Sequence, residues 1–229
     1  MVMKRLYGED KIRRFLKFEL DRYLRDRGGE VVEELPLGRV ENQPYIHYRK
    51  GSVAMYLLQD RLGEEAVNRA LRTTLARFKY KSDPYPRTVD LLQAFRAEAK
   101  SKEDLELIAD LFERITVWDL KVEEPKAVKR ADGRWDVSVP VEARKFYADG
   151  KGVEKEAPLA DRIAIGLFTA EPGRGAFNRK DVMLMGRQAV KSGRQVFRFV
   201  TDKKPTHAGV DPYNFYIDRN SDDNVATVI

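Results

Sequence analysis

The chain contains no cysteine and only two histidines, His47 and His207. The lack of cysteine excludes disulfides, thiolate zinc sites and cysteine nucleophiles. The two histidines lie too far apart in sequence to form H-E-x-x-H, which needs two imidazoles one helical turn apart. The sequence therefore predicts no cofactor held by this chain and no metal ligands within it.

Several other sequence features are also missing. There is no G-x-S-x-G elbow, no P-loop and no G-x-G-x-x-G after a strand, so the sequence offers no motif for a serine hydrolase, a nucleotide triphosphatase or a dinucleotide-binding protein. No apolar run approaches the roughly 20 residues that a membrane helix needs. The first residues, MVMKRLYGED, have the features of neither a signal peptide nor a transit peptide. The sequence predicts a soluble chain.

Charge is abundant and nearly balanced, with 43 Lys and Arg against 37 Asp and Glu, a formal net charge of +6. The basic clusters KIRR, RYLRDR, VKR and KSGR each lie beside acidic residues. Aromatic residues do not alternate with Lys and Arg as they do in oligonucleotide-binding motifs. The charge therefore predicts a mixed, solvated surface and no nucleic-acid partner.

The first half of the chain has the period of amphipathic helices. Apolar residues recur every three or four positions, and glycines follow several of these runs. A capping box is expected at Ser101 and Asp104, and the Thr88 hydroxyl is expected to cap another helix. The expected helices cover Ile12–Leu24 (before Gly28 and Gly29), Tyr48–Leu62, Val67–Phe78, Val89–Phe95 and Leu105–Ile115.

After Val117 and Trp118 the apolar residues alternate at a step of two, which is typical of strands. Turn signals at Asp132-Gly133, Asp149-Gly150 and Pro172-Gly173 separate these segments. A run of helices followed by a run of strands predicts an α+β chain. We expect a helical bundle over residues 1–118 and an antiparallel β-sandwich over residues 119–229, with the strand content of the tail left open.

The tail also carries an acidic cluster, formed by Asp218, Asp222, Asp223, Asn220 and Asn224. Such oxygen-rich segments can bind calcium, but the cluster lacks the ligand order, the glycine and the final glutamate of an EF-hand loop. A solvated turn, or side chains that accept hydrogen bonds from the backbone, is the simpler interpretation.

The segment Tyr48-Arg49-Lys50-Gly51, followed by an apolar helix and then Leu62-Gly63-Glu64-Glu65, resembles the Y-x-K-G segment of the M1 family of zinc aminopeptidases. The resemblance extends upstream into FLKFELDRYLRDRGGE and downstream through ALRTTLARFKYKSDPYPRTVDLLQAF. QPYIHYRKGS and DPYNFYIDRNSDDN are similar to segments of a bacterial subgroup in which an M1-like module is fused behind an ABC-type permease. The resemblance is most specific from Phe15 to Trp118 and weaker over the strands.

This resemblance implies a specific function. Residues 1–118 would be the C-terminal half of a thermolysin-like catalytic domain. Tyr48 would donate its phenol proton toward the oxyanion that forms when zinc-bound water attacks the peptide carbonyl. The zinc ligands and the general base would lie upstream of Met1, so the chain would be an inactive C-terminal fragment of a zinc metallopeptidase. Its partners would be the missing N-terminal catalytic half, the N-terminus of a peptide substrate and a membrane permease, and the parent would be attached to a bacterial membrane.

The residues taken alone allow simpler interpretations. A tyrosine at a helix start is usually a packing residue with a hydrogen-bonded hydroxyl. We expect Lys50 to satisfy nearby carbonyls or acids, Gly51 to permit close backbone approach, and His47 to have a structural or surface role. The alternative function is a non-enzymatic interaction module associated with a membrane transporter. If the chain is a fragment, its side of the catalytic cleft lacks the other half of the domain and exposes apolar surface to solvent. This exposed surface predicts self-association.

Overall fold

Helices occupy the first half of the chain and strands occupy the second. The structure is a computed structural model that describes residues 2–8, 11–29 and 31–229. Over these residues the predicted α+β class is confirmed, with antiparallel sheets following the helices. The α-helices are α1 (Val2–Tyr7), α2 (Ile12–Gly29), α3 (Gly51–Leu62), α4 (Glu64–Phe78), α5 (Thr88–Ala97) and α6 (Lys102–Phe112), with a 3₁₀-helix at Leu37–Arg39 and a π-helical turn at Tyr45–Lys50.

The helix starts follow the expected capping chemistry only in part. The Ser101 hydroxyl accepts the Asp104 N–H at 3.1 Å at the start of α6, as predicted. The Asp104 carboxylate accepts the Lys100 N–H at 3.0 Å. The expectation for α5 was wrong: its N-cap is Arg87, whose N–H is accepted by the Asp90 carboxylate at 2.9 Å. Arg87 has the extended backbone that a cap needs, whereas Thr88 is already helical.

Three apolar residues that the helical spacing assigns to buried faces lie on the surface. Val89 is 49% exposed in α5, Leu75 is 64% exposed in α4, and Leu105 is 42% exposed in α6. The residues that α5 buries are Leu92 and Phe95. An apolar residue at helical spacing therefore need not face the core when its turn lies at the edge of the bundle.

The strands form two antiparallel sheets. In sheet A, β3 pairs with β1, β2, β4 and β7, and sheet B has the order β6-β5-β8-β9. The predicted turns at Gly133, Gly150 and Gly173 all have positive φ. The strands are β1 (Ile115–Val122), β2 (Lys126–Lys129), β3 (Trp135–Ala148), β4 (Glu154–Ala157), β5 (Ala160–Phe168), β6 (Val182–Lys191), β7 (Gly193–Thr201), β8 (His207–Val210) and β9 (Val225–Thr227).

One apolar cluster runs through the helices and both sheets. Ionic ties join the two parts: Arg61 of α3 pairs with Asp161 of β5 at 2.5 Å, and Lys145 of β3 pairs with Asp110 of α6 at 2.8 Å. The change from helix to strand falls between Phe112 and Ile115, and the domain division at Trp118 stays a prediction. In the part of the chain that the structure describes, no helix is both long and apolar enough to cross a bilayer.

Candidate functional site

The segment that carries Tyr48 is a six-residue π-helical turn, Tyr45–Lys50, which leads directly into α3. Three of its residues, Tyr45, Ile46 and Lys50, are buried. The Tyr45 ring stacks on the Tyr23 ring of α2 with centroids 6.1 Å apart and an interplanar angle of 15°. Short π-helical segments occur often at functional sites. The turn is thus held by its buried side chains while its other face stays open.

Tyr48 lies on the open face of this turn. Its side chain is 67% exposed, and its ring contacts the exposed His47 ring with centroids 4.5 Å apart. Its backbone carbonyl accepts the Ser52 hydroxyl at 2.7 Å, which fixes the turn against the first turn of α3. No described residue hydrogen-bonds the Tyr48 phenol. The phenol is therefore a donor on a fixed backbone that faces solvent.

Arg49 follows Tyr48 and ties the turn to α2. Its guanidinium donates to both carboxylate oxygens of Glu19, at 3.0 and 3.2 Å. It also lies 6.0 Å from the centroid of the half-exposed Phe18 ring. Because Glu19 is largely buried, this pair restricts the turn more than a fully exposed ion pair would.

Lys50 is fully buried, and its partner is Glu34 in the loop after α2. The Lys50 Nζ atom lies 3.5 Å from Glu34 Oε1 and 5.2 Å from the centroid of the Tyr23 ring. The Tyr23 hydroxyl donates to the same Oε1 atom in a short hydrogen bond. Lys50 therefore satisfies a nearby acid, as expected from its place beside the helix start.

The Glu34 carboxylate continues this network toward the strands. Its Oε2 atom accepts Arg27 Nε at 2.6 Å, and Arg27 also donates to Glu154 of β4 at 3.0 Å. Glu154 in turn accepts Arg219 Nη2 at 2.6 Å. The turn that carries Tyr48 is thus linked through side chains to sheet A and to the tail.

Burial sets the protonation properties of this network. Desolvation lowers the pKa of the Lys50 ammonium to about 8, and the Glu34 carboxylate opposes that shift. Desolvation raises the pKa of the Tyr23 phenol well above its ordinary value, and the neighbouring Glu34 charge adds to the shift. The two groups therefore stay protonated at neutral pH, where the Lys50 ammonium neutralises the Glu34 carboxylate and the Tyr23 hydroxyl donates a hydrogen bond to it.

The expected role of Gly51 was wrong. Its backbone has ordinary helical dihedrals, and a Cβ atom there would lie 3.6 Å from the Ile46 carbonyl oxygen and 3.7 Å from a Leu37 methyl. Those distances are ordinary van der Waals contacts. The start of α3 therefore does not require glycine for close backbone approach.

The histidines and the acidic tail do not form a metal site in the described part of the chain. No group of three or more His, Asp or Glu side chains there is arranged to hold a metal ion. His47 lies on the surface beside Tyr48, and the His207 ring contacts the Thr206 hydroxyl at 2.9 Å. Zinc of the common protein type therefore has no fitting set of ligands among these residues.

In the tail, Asp218 is buried rather than solvated. Its carboxylate accepts the N–H groups of Leu120 at 3.2 Å and Asn220 at 3.1 Å, so the side-chain-to-backbone interpretation describes it and the solvated-turn interpretation does not. Burial raises the pKa of this carboxyl to about 7. Asp218 thereby joins the tail to β1.

Comparison with known proteins does not assign the chain to a family. No family model matches the sequence, and no curated protein matches it significantly. The interpretation of the site consequently depends on its own geometry and on the resemblance of the YRKG segment.

Sequence reasoning identified Tyr48, Lys50 and Gly51 but missed Glu34, Tyr23 and Arg27. These three residues meet only through the packing of α2, the loop that follows it and the π-helical turn. Their one signal in the sequence is an acidic residue before an apolar Leu-Pro-Leu segment, which is too common to indicate a buried carboxylate.

Proposed function

We propose that this chain is the C-terminal part of an M1-type zinc metallopeptidase of the aminopeptidase kind. It would comprise the helical half of a thermolysin-like catalytic domain followed by a β-sandwich. In the complete protein, Tyr48 stabilises the oxyanion of the tetrahedral intermediate. The observation that carries the proposal is the position of the Tyr48 phenol, which faces solvent from a turn that the buried side chains of Tyr45, Ile46 and Lys50 anchor.

The physical argument concerns preorganisation. A hydrogen-bond donor accelerates acyl transfer when it points to where negative charge develops and need not reorient during the reaction. The contacts of Tyr45 and Arg49 with α2, and of Lys50 with Glu34 in the loop after α2, hold the backbone of the turn in place. The phenol O–H would strengthen its hydrogen bond as charge builds on the carbonyl oxygen of the substrate. A water-poor cleft, closed by the other half of the catalytic domain, would increase that effect.

The described residues do not supply the rest of the chemistry. Neither His47 nor His207 belongs to a set of ligands that fits zinc, so the metal ligands and the general base are proposed to belong to a separate segment of the parent protein. The peptide N-terminus would be recognised there as well. We accordingly propose that the present polypeptide alone is inactive.

The test uses the chain joined to its in-frame upstream coding sequence, which should encode H-E-x-x-H. Tyr48→Phe should lower kcat by roughly 10²- to 10³-fold, equivalent to about 3–4 kcal/mol, with zinc content and KM nearly unchanged. Tyr85→Phe, at another exposed tyrosine, should leave kcat unchanged.

Two results would contradict the proposal. One is a Tyr48→Phe variant as active as the parent. The other is metal analysis of the present chain alone that finds about one tightly bound zinc per polypeptide, the occupancy expected of a complete zinc site.

A second candidate function is a non-enzymatic interaction module associated with a membrane transporter. It is favoured by large apolar or aromatic side chains that face solvent on and between α4 and α5, namely Leu75, Tyr80, Tyr85 and Val89. Exposed apolar groups close together often mark protein contacts. This function predicts capture of the permease in the absence of metal, and it predicts no H-E-x-x-H in the upstream coding sequence.

A further inference from the structure

A groove with a volume of about 260 Å³ lies where β5 and β6 meet the segment after β8 and the end of α3. It is separate from the Tyr48 turn, and no residue of that turn lines it. Its floor includes Ala164 of β5, which pairs across the sheet with Arg187 of β6. The volume is close to the lower limit of small-molecule sites in proteins.

The walls of this groove are aromatic and well supported. Tyr213, Phe215 and Tyr216 line it from the segment after β8, and all three are more than nine-tenths buried. The Tyr213 ring packs edge-to-face on Phe177 at 6.4 Å. The Tyr216 hydroxyl donates to Asp161 at 2.9 Å and accepts Arg61 Nη2 at 3.0 Å. The walls are thus preformed rather than assembled around a ligand.

The charged groups at the groove leave one cation without an ionic partner. Arg187 is paired with Asp60 of α3 at 2.7 Å. Arg162, which is exposed beside it, forms no ion pair with any residue that the structure describes. A guanidinium without an ionic partner at the edge of this aromatic groove can donate two parallel hydrogen bonds to a carboxylate.

Asp211 also lines the groove, but its carboxylate does not offset the positive charge of Arg162. Asp211 is 2% exposed, and its carboxylate accepts the N–H groups of Phe215 at 3.1 Å and Tyr216 at 2.8 Å. Burial raises the pKa of this carboxyl well above its ordinary value. Asp211 therefore shapes the segment after β8, and the accessible charge at the groove is positive.

We propose that this groove binds a small carboxylic acid with an apolar, preferably aromatic, body of about the size of one amino acid residue. The body occupies the slot between Ala164 and the aromatic walls, and the carboxylate pairs with Arg162. The same chemistry is found in a free aromatic acid and in the C-terminal residue of a peptide. Because the Arg187–Asp60 pair bridges β6 and α3 beside the slot, a free acid should fit better than a longer chain. This inference does not depend on the peptidase proposal.

The experiment is isothermal titration of the full chain with N-acetylphenylalanine, with N-acetylphenylalaninamide as the uncharged analogue. We expect the acid to bind and the amide to bind at least about tenfold more weakly, since a charge-assisted pair is lost. Arg162→Gln should weaken binding of the acid by a similar factor and leave binding of the amide unchanged. Ala164→Leu should abolish the binding of both by filling the slot.

Two matched variants test whether the effects are local. Arg198→Gln removes an exposed arginine from β7 of sheet A, and Ala97→Leu adds the same bulk at an exposed position of α5. Both should bind the acid like the parent chain. If Ala164→Leu does not fold, as judged by circular dichroism, the exposed Arg162→Gln variant still decides the matter.

Further titrations show whether the carboxylate that binds belongs to a free acid or to the C-terminus of a peptide. A pentapeptide that ends in phenylalanine and binds more weakly than N-acetylphenylalanine supports a free acid, and stronger binding supports a peptide terminus with the same Arg162 pairing. Equal affinity for acid and amide would overturn the proposal, as would an unaffected Arg162→Gln variant or no heat of binding at millimolar acid. Tighter binding of phenyl phosphate than of the acid would overturn the assignment to carboxylates.

Discussion

Lys50 shows how much the open face of the Tyr48 turn depends on what is buried behind it. Its ammonium has lost all contact with solvent, a cost that only a close carboxylate can offset. Glu34 supplies that carboxylate, and the face of the Tyr23 ring adds a cation–π contact. The lysine therefore holds the end of the turn in place at some expense to the stability of the fold.

The desolvation of the Lys50 ammonium predicts that the free energy of unfolding depends on pH. The pKa of Lys50 is lowered to about 8 in the folded chain from an unfolded value of about 10.4. Between these values the unfolded state binds more protons, so the free energy of unfolding should rise as the pH increases. Replacement by uncharged Lys50→Met should remove this rise. Urea unfolding at about pH 7 and about pH 9 measures it, because at about pH 9 Tyr23 is still largely protonated in the unfolded state as well as in the folded chain.

The control for this prediction is Lys155→Met, at an exposed position on β4. That variant should keep the pH dependence of the parent chain. A Lys50→Met variant that gains as much stability between the two pH values as the parent would show that another group is responsible.

For single residues, the sequence predicts which side chains carry functional groups better than it predicts which of them are buried. The YRKG segment identified Tyr48 and Lys50, but which of them would be buried could not be read from it. Lysine is almost never fully buried unless it is paired, and the partner of Lys50 lies 16 residues away in a loop. Arg162 was missed for the same reason, because the sequence does not show which arginine lacks an acid.

At the scale of elements, the π-helical turn and α3 form one continuous segment. The Gly51 N–H donates to the carbonyls of Ile46 and Tyr48, and α3 starts at Gly51 directly after the turn, so the two helical segments join without a break in the backbone. Gly51 is nevertheless the residue with the lowest helix propensity apart from proline. Since a Cβ atom fits there, the glycine lowers stability without a packing reason.

Gly51→Ala should therefore stabilise the chain by about 0.5–1 kcal/mol. The matching rise in Tm is roughly 1–4 °C for a chain of this size. Gly150→Ala is the opposite case, because its φ is +87° and a Cβ atom would lie 2.4 Å from the Glu34 carbonyl oxygen. Differential scanning calorimetry should show a higher Tm for the first variant and a lower Tm for the second. A lower Tm for Gly51→Ala would mean that the start of α3 is tighter than its distances indicate.

The elements themselves were predictable where their periods were long enough. The four longest strands, β3, β5, β6 and β7, and the helices from α2 to α6 all follow from apolar periodicity. The strands β4, β8 and β9 span only three or four residues each, too few for alternation to be recognised. The π-helical turn was not predictable, because its hydrogen bonds depend on the packing of Tyr45 and Lys50 against Tyr23 and Glu34.

At the scale of the whole molecule, the helices and sheets share one apolar core, but α4, α5 and the loop between them leave large apolar and aromatic side chains exposed. Leu75 is 64% and Val89 is 49% exposed, with Tyr80 and Tyr85 in the loop between the two helices. Arg77 and Asp90 form an ion pair at 3.4 Å beside them, so the two helices are held together at this place. An apolar surface on a fixed scaffold favours contact with another protein surface.

This surface predicts that the isolated chain associates with itself. Sedimentation should show an apparent mass that rises with protein concentration, because contact between two copies removes apolar area from water. The double variant Leu75→Ser and Val89→Ser should sediment as a monomer over the same range. Because both side chains are exposed, we expect its stability to change by no more than about 0.5 kcal/mol. Leu105→Ser, at an exposed leucine of α6, is the control and should associate like the parent. If that control also becomes monomeric, or if the double variant still associates, the contact lies elsewhere and the α4–α5 surface has no role in it.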